Sequence, residues 1–415
     1  MARVASGNFL EAYDFQVFGY YATAISRIFF PQSNDYAALM LTLTTFGAGF
    51  LMRPLGAIIL GAYVDHHGRR RGLLLTLSLM AAGTFSIACT PGYATIGLLA
   101  PLLVLAGRLL QGLSAGVELG GVSVYLLEIA TPGREGFYVS WQSATQQIAV
   151  VFAALLGLGL TATLSTDSMT RWGWRVPLLV GCLMLPFVLR LRRSLEETAV
   201  FRAREKRPSM REIIRSVAAH WQLVLLGMML VTMVTVCYYL ITAYTPTFGS
   251  AVLHLSSSES LEVTLFVGIS NFIWVPVMGA LSDKIGRRPL LFACTTLTLI
   301  TAYPAMAWLV SAPSFSRLLM VELWLSCMFG SYSGAMVVFL TEIMPEDVRA
   351  SGFSLAFSLA AAIFGGFTPA ICTYLIHLTG NRAMPGAWLS AAAASGLIAA
   401  LLLSPRRFDS GRYDI

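Results

Sequence analysis

A few charged side chains stand inside the long apolar stretches of this chain, and Arg108 is the most central of them. Placing an arginine in the middle of an apolar membrane helix costs at least about 2.5 kcal/mol, so such a residue is a candidate for a functional site. A guanidinium group presents a planar fork of donors that can bind a carboxylate through two hydrogen bonds. Gln111 follows three residues later on the same helix face. We expect both residues to bind an anion. A permanent ion pair with an acid of the first apolar stretch is the alternative for Arg108.

Arg53 is a second cation inside an apolar stretch. The Arg-Pro-Leu-Gly sequence that contains it predicts a bend in a helix, because proline interrupts helical hydrogen bonding. Two cations would suit an anion that carries several carboxylates. A structural ion pair of Arg53 with Glu11 or Asp14 is supported equally well by the sequence.

Three acids complete the set of charged candidates: Glu11, Asp14 and Glu118. Glu11 and Asp14 are three residues apart and therefore share one helix face. A carboxyl group stays ionised beside an arginine, but burial without a cation favours its neutral form. We expect at least one of these acids to carry a proton, and the sequence does not choose among them. A role in a gate alone is the alternative for Glu11.

Neutral polar side chains can complete the site. Gln142 and Gln146 are four residues apart and share a helix face, and the other candidates are Tyr13, Tyr238 and Asn271. Any one of them, taken singly, is more typical of a hydrogen bond between helices. Together they suit an anion that is held and later released. Glu322, near the end of an apolar stretch, is expected to be solvated.

Composition restricts the fold class. The chain is 56% hydrophobic and 12% charged, with a mean hydropathy of +0.71, whereas soluble domains contain roughly 25% charged residues. Strands of a membrane barrel would alternate over about 10 residues, and no such pattern occurs. Twelve stretches approach the length that spans a bilayer. They cover approximately residues 8–30, 36–64, 73–91, 95–126, 137–164, 174–191, 220–250, 261–282, 289–311, 316–341, 350–378 and 383–404. The sequence therefore predicts an all-α integral membrane protein with twelve transmembrane helices.

The net charge of +7 is a signal of topology. If the chain starts inside, 21 of its 28 Lys and Arg residues fall in the inner loops and tails. This asymmetry predicts cytoplasmic termini and contact with a lipid bilayer, and it argues against a nucleic-acid partner. The six cysteines show no metal-ligand spacing, so no metal or cofactor is predicted.

The chain repeats two of its loops. Residues 61–72 read GAYVDHHGRRRG and residues 279–289 read GALSDKIGRRP, each after a long apolar run. YLLEIATP at 125–132 similarly matches FLTEIMP at 339–345. Parallel repeats are typical of transporters. We therefore expect two six-helix bundles related by a pseudo-two-fold axis, at residues 1–191 and 220–415, joined by a basic cytoplasmic linker at 192–219.

The repeated loops can form latches between the bundles, because an Asp at a helix end can hold a neighbouring helix terminus or an arginine. Glu128 is expected to pair with Arg134, and Glu342 with Arg349. The other candidates for this gate are Gly61, Asp65, Gly68, Arg69 and Arg70 in the first repeat, and Gly279, Asp283, Gly286, Arg287 and Arg288 in the second.

The loop pattern G-x-x-x-D-x-x-G-R-R resembles the conserved cytoplasmic loop of the major facilitator superfamily. The stretches GNFLEAYDF (7–15), FLMRPLG (50–56) and GRLLQG (107–112) resemble its metabolite:proton symporter branch, and the chain as a whole is most similar to the citrate and tricarballylate carriers of that branch. His66 and Val117 depart from the usual residues at their positions. The resemblance implies a monomeric carrier in a bacterial inner membrane. Such a carrier imports citrate or a related di- or tricarboxylate with protons while its two bundles rock.

Several alternatives remain open on the sequence alone. Sodium could replace the proton as coupling ion. A zwitterionic osmolyte could be the substrate, with Tyr238 and Tyr239 around its ammonium group. A non-transporting receptor belongs to a different class. An enzyme is not predicted, because the apolar stretches contain neither a nucleophile with its base nor an HExxH pattern.

Overall fold

The computed structural model describes residues 2–30, 34–67, 69–116, 118–193, 215, 219–345 and 349–403. Within these ranges the chain is helical apart from turns and short connections, and no strand occurs. The described residues form twelve helical spans, numbered here in chain order. This confirms the predicted fold class.

The first six spans run from Ala2 to Arg193. Their helices are Ala2–Tyr20 with Ala22–Phe29 (span 1), Asp35–His67 (span 2), Arg69–Cys89 (span 3), Leu99–Ala115 with Glu118–Glu128 (span 4), Glu135–Thr163 (span 5) and Arg175–Arg193 (span 6). Short helical turns lie at Tyr93–Ile96, Thr166–Ser168 and Met169–Gly173.

The last six spans run from Trp221 to Leu402. Span 7 comprises Trp221–Tyr239, a wide π-turn at Leu240–Tyr244, the turn Thr245–Thr247 and a second π-turn at Phe248–Val252. The others are Ser257–Ile285 (span 8), Arg287–Ser311 (span 9), Phe315–Ile343 (span 10), Arg349–Ala360 with Ala361–Gly365 and Thr368–Thr379 (span 11), and Met384–Leu402 (span 12).

Local sequence explains where these helices begin and end. Ser256 and Glu259 form a reciprocal capping box that starts span 8. Gly286 ends that span at a φ of 91°, which a residue with a side chain rarely adopts. By length and hydropathy, eight of the described helices are able to cross a membrane, and shorter apolar helices lie at Leu74–Cys89, Leu99–Ala115 and Arg175–Pro186.

Spans 2 and 4 approach each other closely, and this contact positions both candidate arginines. A Cβ atom at Gly112 would overlap the carbonyl of Gly49, and one at Gly116 would overlap the carbonyl of Arg53. Small residues allow such backbone contact between membrane helices. Arg53 and Arg108 are therefore carried by two helices whose separation cannot widen without loss of packing.

The spans pack as two bundles whose contacts repeat. Span 2 packs on span 4 as span 8 packs on span 10, and span 5 packs on span 8 across the bundles as span 2 packs on span 11. The predicted linker at 192–219 lies almost wholly outside the described residues, so its boundaries stay a prediction.

Asp283 joins the bundles at the end that carries the repeated loops, called the loop end below. Its two carboxylate oxygens accept hydrogen bonds from the backbone N–H groups of Gly136 (2.7 Å) and Phe137 (3.0 Å) at the start of span 5. Gly279 and Gly136 permit this contact, since a Cβ on either would crowd the other's carbonyl. In the second repeat, the Asp thus contacts a neighbouring helix terminus. Its role as a latch stays a prediction.

Arg287 extends this latch and corrects one expected pair. It bonds to Asp283 and donates from Nη2 to Glu342 at 3.1 Å, and Glu135 lies 3.9 Å away. Glu342 was expected to pair with Arg349, but its described ion pair is with Arg287, which the helix start at 287 brings closer. Arg349 donates from Nε to the Met344 carbonyl.

The remaining gate residues are only partly described. Arg288 donates to the Ala400 carbonyl of span 12 at 3.3 Å. Glu128 and Arg134 are both exposed. Gly68 lies outside the described residues. The backbone alone is described for the other candidates of the first repeat, which are Gly61, Asp65, Arg69 and Arg70.

The opposite end, called the far end, is also closed. The rings of Tyr36 in span 2 and His377 in span 11 stack with centroids 3.8 Å apart. Gln16 of span 1 donates to Thr242 of span 7 at 3.0 Å. The bundles therefore contact each other at both ends of the space between them.

We expect Asp283→Asn to open the loop end. The amide keeps the size of the side chain but has no negative charge. The two hydrogen bonds from Gly136 and Phe137 are then weaker than bonds to a carboxylate, which contribute roughly 1.5–3 kcal/mol each to stability. A shift of about 1.4 kcal/mol changes the open-to-closed ratio ten-fold. A cysteine at Gln146, between the bundles, should then react with a thiol reagent about ten times faster. The labelling rate is measured on purified protein from which the six native cysteines have been removed.

Asp167→Asn is the matched control for this experiment. Asp167 pairs with Arg171 at the surface, with side chains 68% and 76% exposed, and such pairs contribute little. Equal labelling rates in the two Asn variants would show that Asp283 does not hold the loop end closed.

Candidate functional site

A narrow cavity lies between the bundles at mid-depth. Its walls come from spans 1, 2 and 5 of the first bundle and from spans 7, 10 and 11 of the second. They comprise Glu11, Ala12, Phe15, Gln16, Arg53, Ser143, Gln146, Val234, Thr235, Tyr238, Tyr239, Phe329 and Phe357. The cavity has room for roughly two water molecules. Any larger ligand requires the bundles to separate.

Glu11 and Arg53 form an ion pair in the wall of this cavity. Arg53 Nη2 donates to Glu11 Oε1 at 2.9 Å, and the two residues are only 3% and 6% exposed. Of the two acids that could have paired with Arg53, the structure selects Glu11. Pairing in a region of low dielectric offsets the cost of burying each charge.

The ring of Phe15 connects the two arginines. The Arg53 guanidinium carbon lies 4.7 Å from its centroid, and that of Arg108 lies 4.4 Å from it. Phe50 also contacts Arg53 (4.5 Å), and Phe18 contacts Arg108 (4.6 Å). Cation–π contacts strengthen when they are desolvated, so the rings stabilise the two buried cations without neutralising them.

Arg108 is fully buried behind Phe15 and does not line the cavity. Its Nη1 donates to Gln111 Oε1 at 2.8 Å, and its Nη2 lies 3.4 Å from the Phe46 carbonyl. Neither acid of span 1 forms an ion pair with it, since Glu11 pairs with Arg53 and Asp14 bonds to Thr84. Arg108 is thus held by neutral groups that an anion could replace.

A chain of hydrogen bonds links Arg108 to Asp14. Gln111 accepts from Arg108 and donates from Nε2 to Thr84 Oγ1 at 2.8 Å. Thr84 in turn donates to Asp14 Oδ2. Asp14 is 2% exposed, and its Oδ1 has no hydrogen-bond partner among the described atoms. Through two neutral side chains, a change at Arg108 can therefore reach this carboxyl group.

The other predicted polar residues divide into two groups. Gln146 and Tyr238 line the cavity, and Gln142 is buried beside it, accepting from the Ser143 hydroxyl at 2.9 Å. Tyr13 and Asn271 lie elsewhere: Tyr13 donates to the Pro177 carbonyl at 2.8 Å, and Asn271 donates to Gln147 at 3.1 Å. The side chain of Glu118 lies outside the described residues.

The expectation for Glu322 is wrong. This residue was expected to be solvated, but it is 1% exposed, and its Oε1 accepts from the Thr245 hydroxyl at 3.0 Å. The bent part of span 7 packs over it, so its position near a span end does not bring it to water.

Sequence reasoning missed Thr84 and the aromatic residues around the arginines. Phe15 and Phe18 are three residues apart, and Phe46 and Phe50 are four apart, so each pair shares a helix face. That spacing, next to buried cations, was an available signal. Thr84 gave none, since a threonine in a helix commonly bonds to the carbonyl four residues earlier.

The arrangement can bind an anion and a proton. It offers two buried cations, one already paired with an internal carboxylate, and a second carboxyl group with an unused oxygen. Within the described ranges, no cluster of His, Cys, Asp and Glu could hold a metal ion.

Comparison of the sequence with known proteins identifies the family of this chain. The profile described as Major Facilitator Superfamily matches residues 4–363. The "Citrate-proton symporter" of Salmonella typhi is 59% identical over 97% of this chain and 93% of its own length. The protein of the same name from Klebsiella pneumoniae is 60% identical over 97% and 91%. The "Alpha-ketoglutarate permease" of Escherichia coli K12 is 37% identical over 87% and 83%.

Solved structures agree on the fold. A crystal structure of the D-xylose-proton symporter superimposes with a TM-score of 0.77 at 18% identity, over 97% of this chain and 95% of that one. The partially occluded, inward-open xylose transporter of Escherichia coli gives 0.76 at 17% identity over 97% and 95%. With a matching profile over most of its length, relatives at this identity and a shared fold, the chain belongs to the major facilitator superfamily.

Proposed function

We propose that this protein imports citrate together with protons across a bacterial inner membrane. The names of its relatives at 59 and 60% identity support this substrate and coupling ion. The structural observation that carries the proposal is the Glu11–Arg53 pair in the wall of a narrow cavity between the bundles. We further propose that the carrier acts as a monomer, with both termini and the loop end in the cytoplasm.

Glu11 acts as an internal substitute for the substrate. Its carboxylate holds Arg53 while the cavity is empty, in the way that a carboxylate of citrate would hold it. Protonation of Glu11 ends the competition and frees the guanidinium. The citrate anion and the proton therefore favour each other's binding at this point.

Arg108 provides the second cation. It contacts the same Phe15 ring as Arg53, so a movement of that one ring opens a path from the cavity to both guanidinium groups. Its two hydrogen bonds are to neutral acceptors, and exchanging them for bonds to a carboxylate is favourable. A ligand with several carboxylates can give each arginine a carboxylate of its own, which a monocarboxylate cannot do.

Asp14 couples a second proton to the same event. When an anion draws Arg108 away from Gln111, the chain that ends at Asp14 loses its cation. The added negative charge nearby favours the neutral form of a buried carboxyl group. A protonated Asp14 can donate to Thr84, which can then donate to the Met80 carbonyl 3.0 Å away. The sign of this coupling is that of a symporter.

Alternating access follows from the contacts at the two ends. Separation at Tyr36 and His377 would admit citrate from outside, and release of Asp283 from Gly136 and Phe137 would deliver it to the cytoplasm. Each contact is replaced by water when it opens, so neither end is held irreversibly.

Other substrates and sodium coupling remain as competing outcomes. The "Proline/betaine transporter" of Escherichia coli K12 is 32% identical over 94% of this chain. The ring centroids of Tyr238 and Tyr239 lie 5.0 Å apart in the wall of the cavity. The two arginines favour a multivalent anion over a zwitterion.

The proposed transport is tested with labelled citrate in proteoliposomes. We expect an inward proton gradient to drive accumulation above the external concentration, and a sodium gradient alone to drive none. Arg108→Gln should lower uptake at least ten-fold, because hydrogen bonds to charged groups contribute roughly 1.5–3 kcal/mol. Arg382→Gln, at the far-end surface next to span 12, is the control and should match the wild type.

The opposing outcomes of this test are distinct. Accumulation driven by a sodium gradient would show that sodium, and not the proton, is the coupling ion. Proton-driven uptake of ketoglutarate or betaine, with no uptake of citrate, would show that the substrate is not citrate. Folded protein that accumulates none of them would reject the proposal.

The internal-substitute role of Glu11 predicts opposite effects of two substitutions on citrate binding. Glu11→Gln should bind citrate at least as tightly as the wild type at neutral pH, and its affinity should vary less with pH. Arg53→Gln should bind about ten-fold or more weakly at every pH. Isothermal titration of purified protein measures both. Weaker binding in Glu11→Gln would indicate that Glu11 is needed only to hold the structure.

Neutralising Asp14 should separate exchange from accumulation. We expect Asp14→Asn to exchange internal for external citrate, since the amide mimics the protonated acid, but to lose most proton-driven accumulation. Thr84→Ser, which keeps the hydroxyl group, is the control and should retain both. Full accumulation by Asp14→Asn would remove Asp14 from the proton path.

A further inference from the structure

A third buried carboxyl group lies in the second bundle, away from the site described above. Glu322 of span 10 is 1% exposed. Its Oε1 accepts one hydrogen bond, from Thr245 Oγ1 at 3.0 Å, and its Oε2 has no partner among the described atoms. No described cation forms an ion pair with it. An ionised carboxylate left this way in a membrane interior would be costly.

The hydroxyl group of Thr245 has one proton and two acceptors in reach. Its Oγ1 lies 3.0 Å from Glu322 Oε1 and 3.2 Å from the Leu240 carbonyl oxygen. If Glu322 is ionised, the hydroxyl can donate to only one of these oxygens. If Glu322 is protonated, its own O–H donates to Thr245, which then donates to Leu240, and both bonds form. This geometry therefore fits the neutral acid.

Thr245 occupies the break in span 7. It stands between two π-turns and directly before Pro246, which has no backbone N–H to donate. The preceding π-turn carries the contacts with span 1: Thr242 accepts from Gln16, and Ala243 packs against Gly19. The bond to Glu322 thus lies on the segment that closes the far end.

The surroundings of Glu322 contain few groups that could compete for its proton. Among the described residues, the titratable group that interacts with it is the Cys237 thiol of span 7, whose Sγ lies 3.8 Å from the Leu325 carbonyl oxygen. From the described parts of spans 8, 9 and 11, no charged side chain bonds to it. Water that enters when the far end opens is its remaining partner.

We propose that Glu322 is a further proton-binding site, whose protonation holds the bend of span 7 and keeps the far end closed. When the far end opens, water reaches the carboxyl group and it can ionise. When a proton binds, the bonds through Thr245 to Leu240 form again and the far end closes. The site is separate from Asp14 and Arg108, and its test needs no substrate, so its failure would leave the proposed transport of citrate untouched.

Difference infrared spectroscopy on purified protein tests the proton directly. We expect wild type minus Glu322→Gln to contain the carbonyl band of a protonated carboxylic acid at neutral pH, and this band should disappear as the pH rises. Glu259→Gln is the matched control, because Glu259 lies at the start of span 8, where Gln can also cap the helix. Wild type minus Glu259→Gln should lack the band at neutral pH.

The link to closure is measured with spin labels at Asp35→Cys and Leu378→Cys, two exposed positions next to the Tyr36–His377 contact, in a background without the six native cysteines. With Glu322 present, the distance between the labels should lengthen as the pH rises. With Glu322→Gln, the short distance should persist at every pH.

Thr245→Val supplies a second variant should Glu322→Gln fold poorly. It keeps the acid but removes the hydroxyl group that can donate to the ionised carboxylate. We therefore expect it to raise the pH at which the band disappears. Thr245→Ser should behave as the wild type. The proposal is overturned if the band is absent at every pH, if it persists unchanged at every pH, or if the label distances follow pH alike with and without the acid.

Discussion

A balance of buried charge is the constraint on which the rest of this structure depends. Among the described side chains around the cavity, two cations, Arg53 and Arg108, face two acids, Glu11 and Asp14. The interior has a low dielectric, so an added carboxylate would leave an excess of negative charge that is costly there. Protonation of one of the acids removes that excess. An anion carrier built around this set therefore requires a co-transported cation.

The same constraint explains why neither arginine has a bidentate carboxylate partner among the described residues. Arg108 is bound by an amide oxygen, a carbonyl and aromatic rings, and Arg53 by one oxygen of Glu11 and two rings. Such contacts make burial tolerable while leaving each guanidinium able to exchange its partner. Bidentate ion pairs with internal carboxylates on both arginines would have made the site more stable but unable to exchange these partners for a substrate. Incomplete neutralisation is thus what binding and release need.

The sequence predicted the parts of this site but not how they are paired. Arg53, Arg108 and the acids were found because a charge in an apolar span is costly, and the twelve spans follow from length and hydropathy. Helix spacing reveals which residues share a face, but not which neighbour a face meets, so Glu11 and Asp14 could not be told apart as partners of Arg53. Glu322 is close to a span end and is nevertheless buried, because the bend of span 7 covers it. Pro246 marks that bend in the sequence but does not show which neighbour the bend covers.

Both bundles place a carboxyl group beside a threonine that can also reach a backbone carbonyl. Asp14 has Thr84 with Met80, and Glu322 has Thr245 with Leu240. In each case one hydroxyl proton must choose between two acceptors, and a protonated acid removes the choice. The difference lies in what stands behind each acid. Asp14 is connected to Arg108 through Gln111, so it can respond to a bound anion. Glu322 has no such connection among the described residues and responds only to the entry of water. One acid is therefore suited to sensing the substrate, and the other to sensing whether the far end is open.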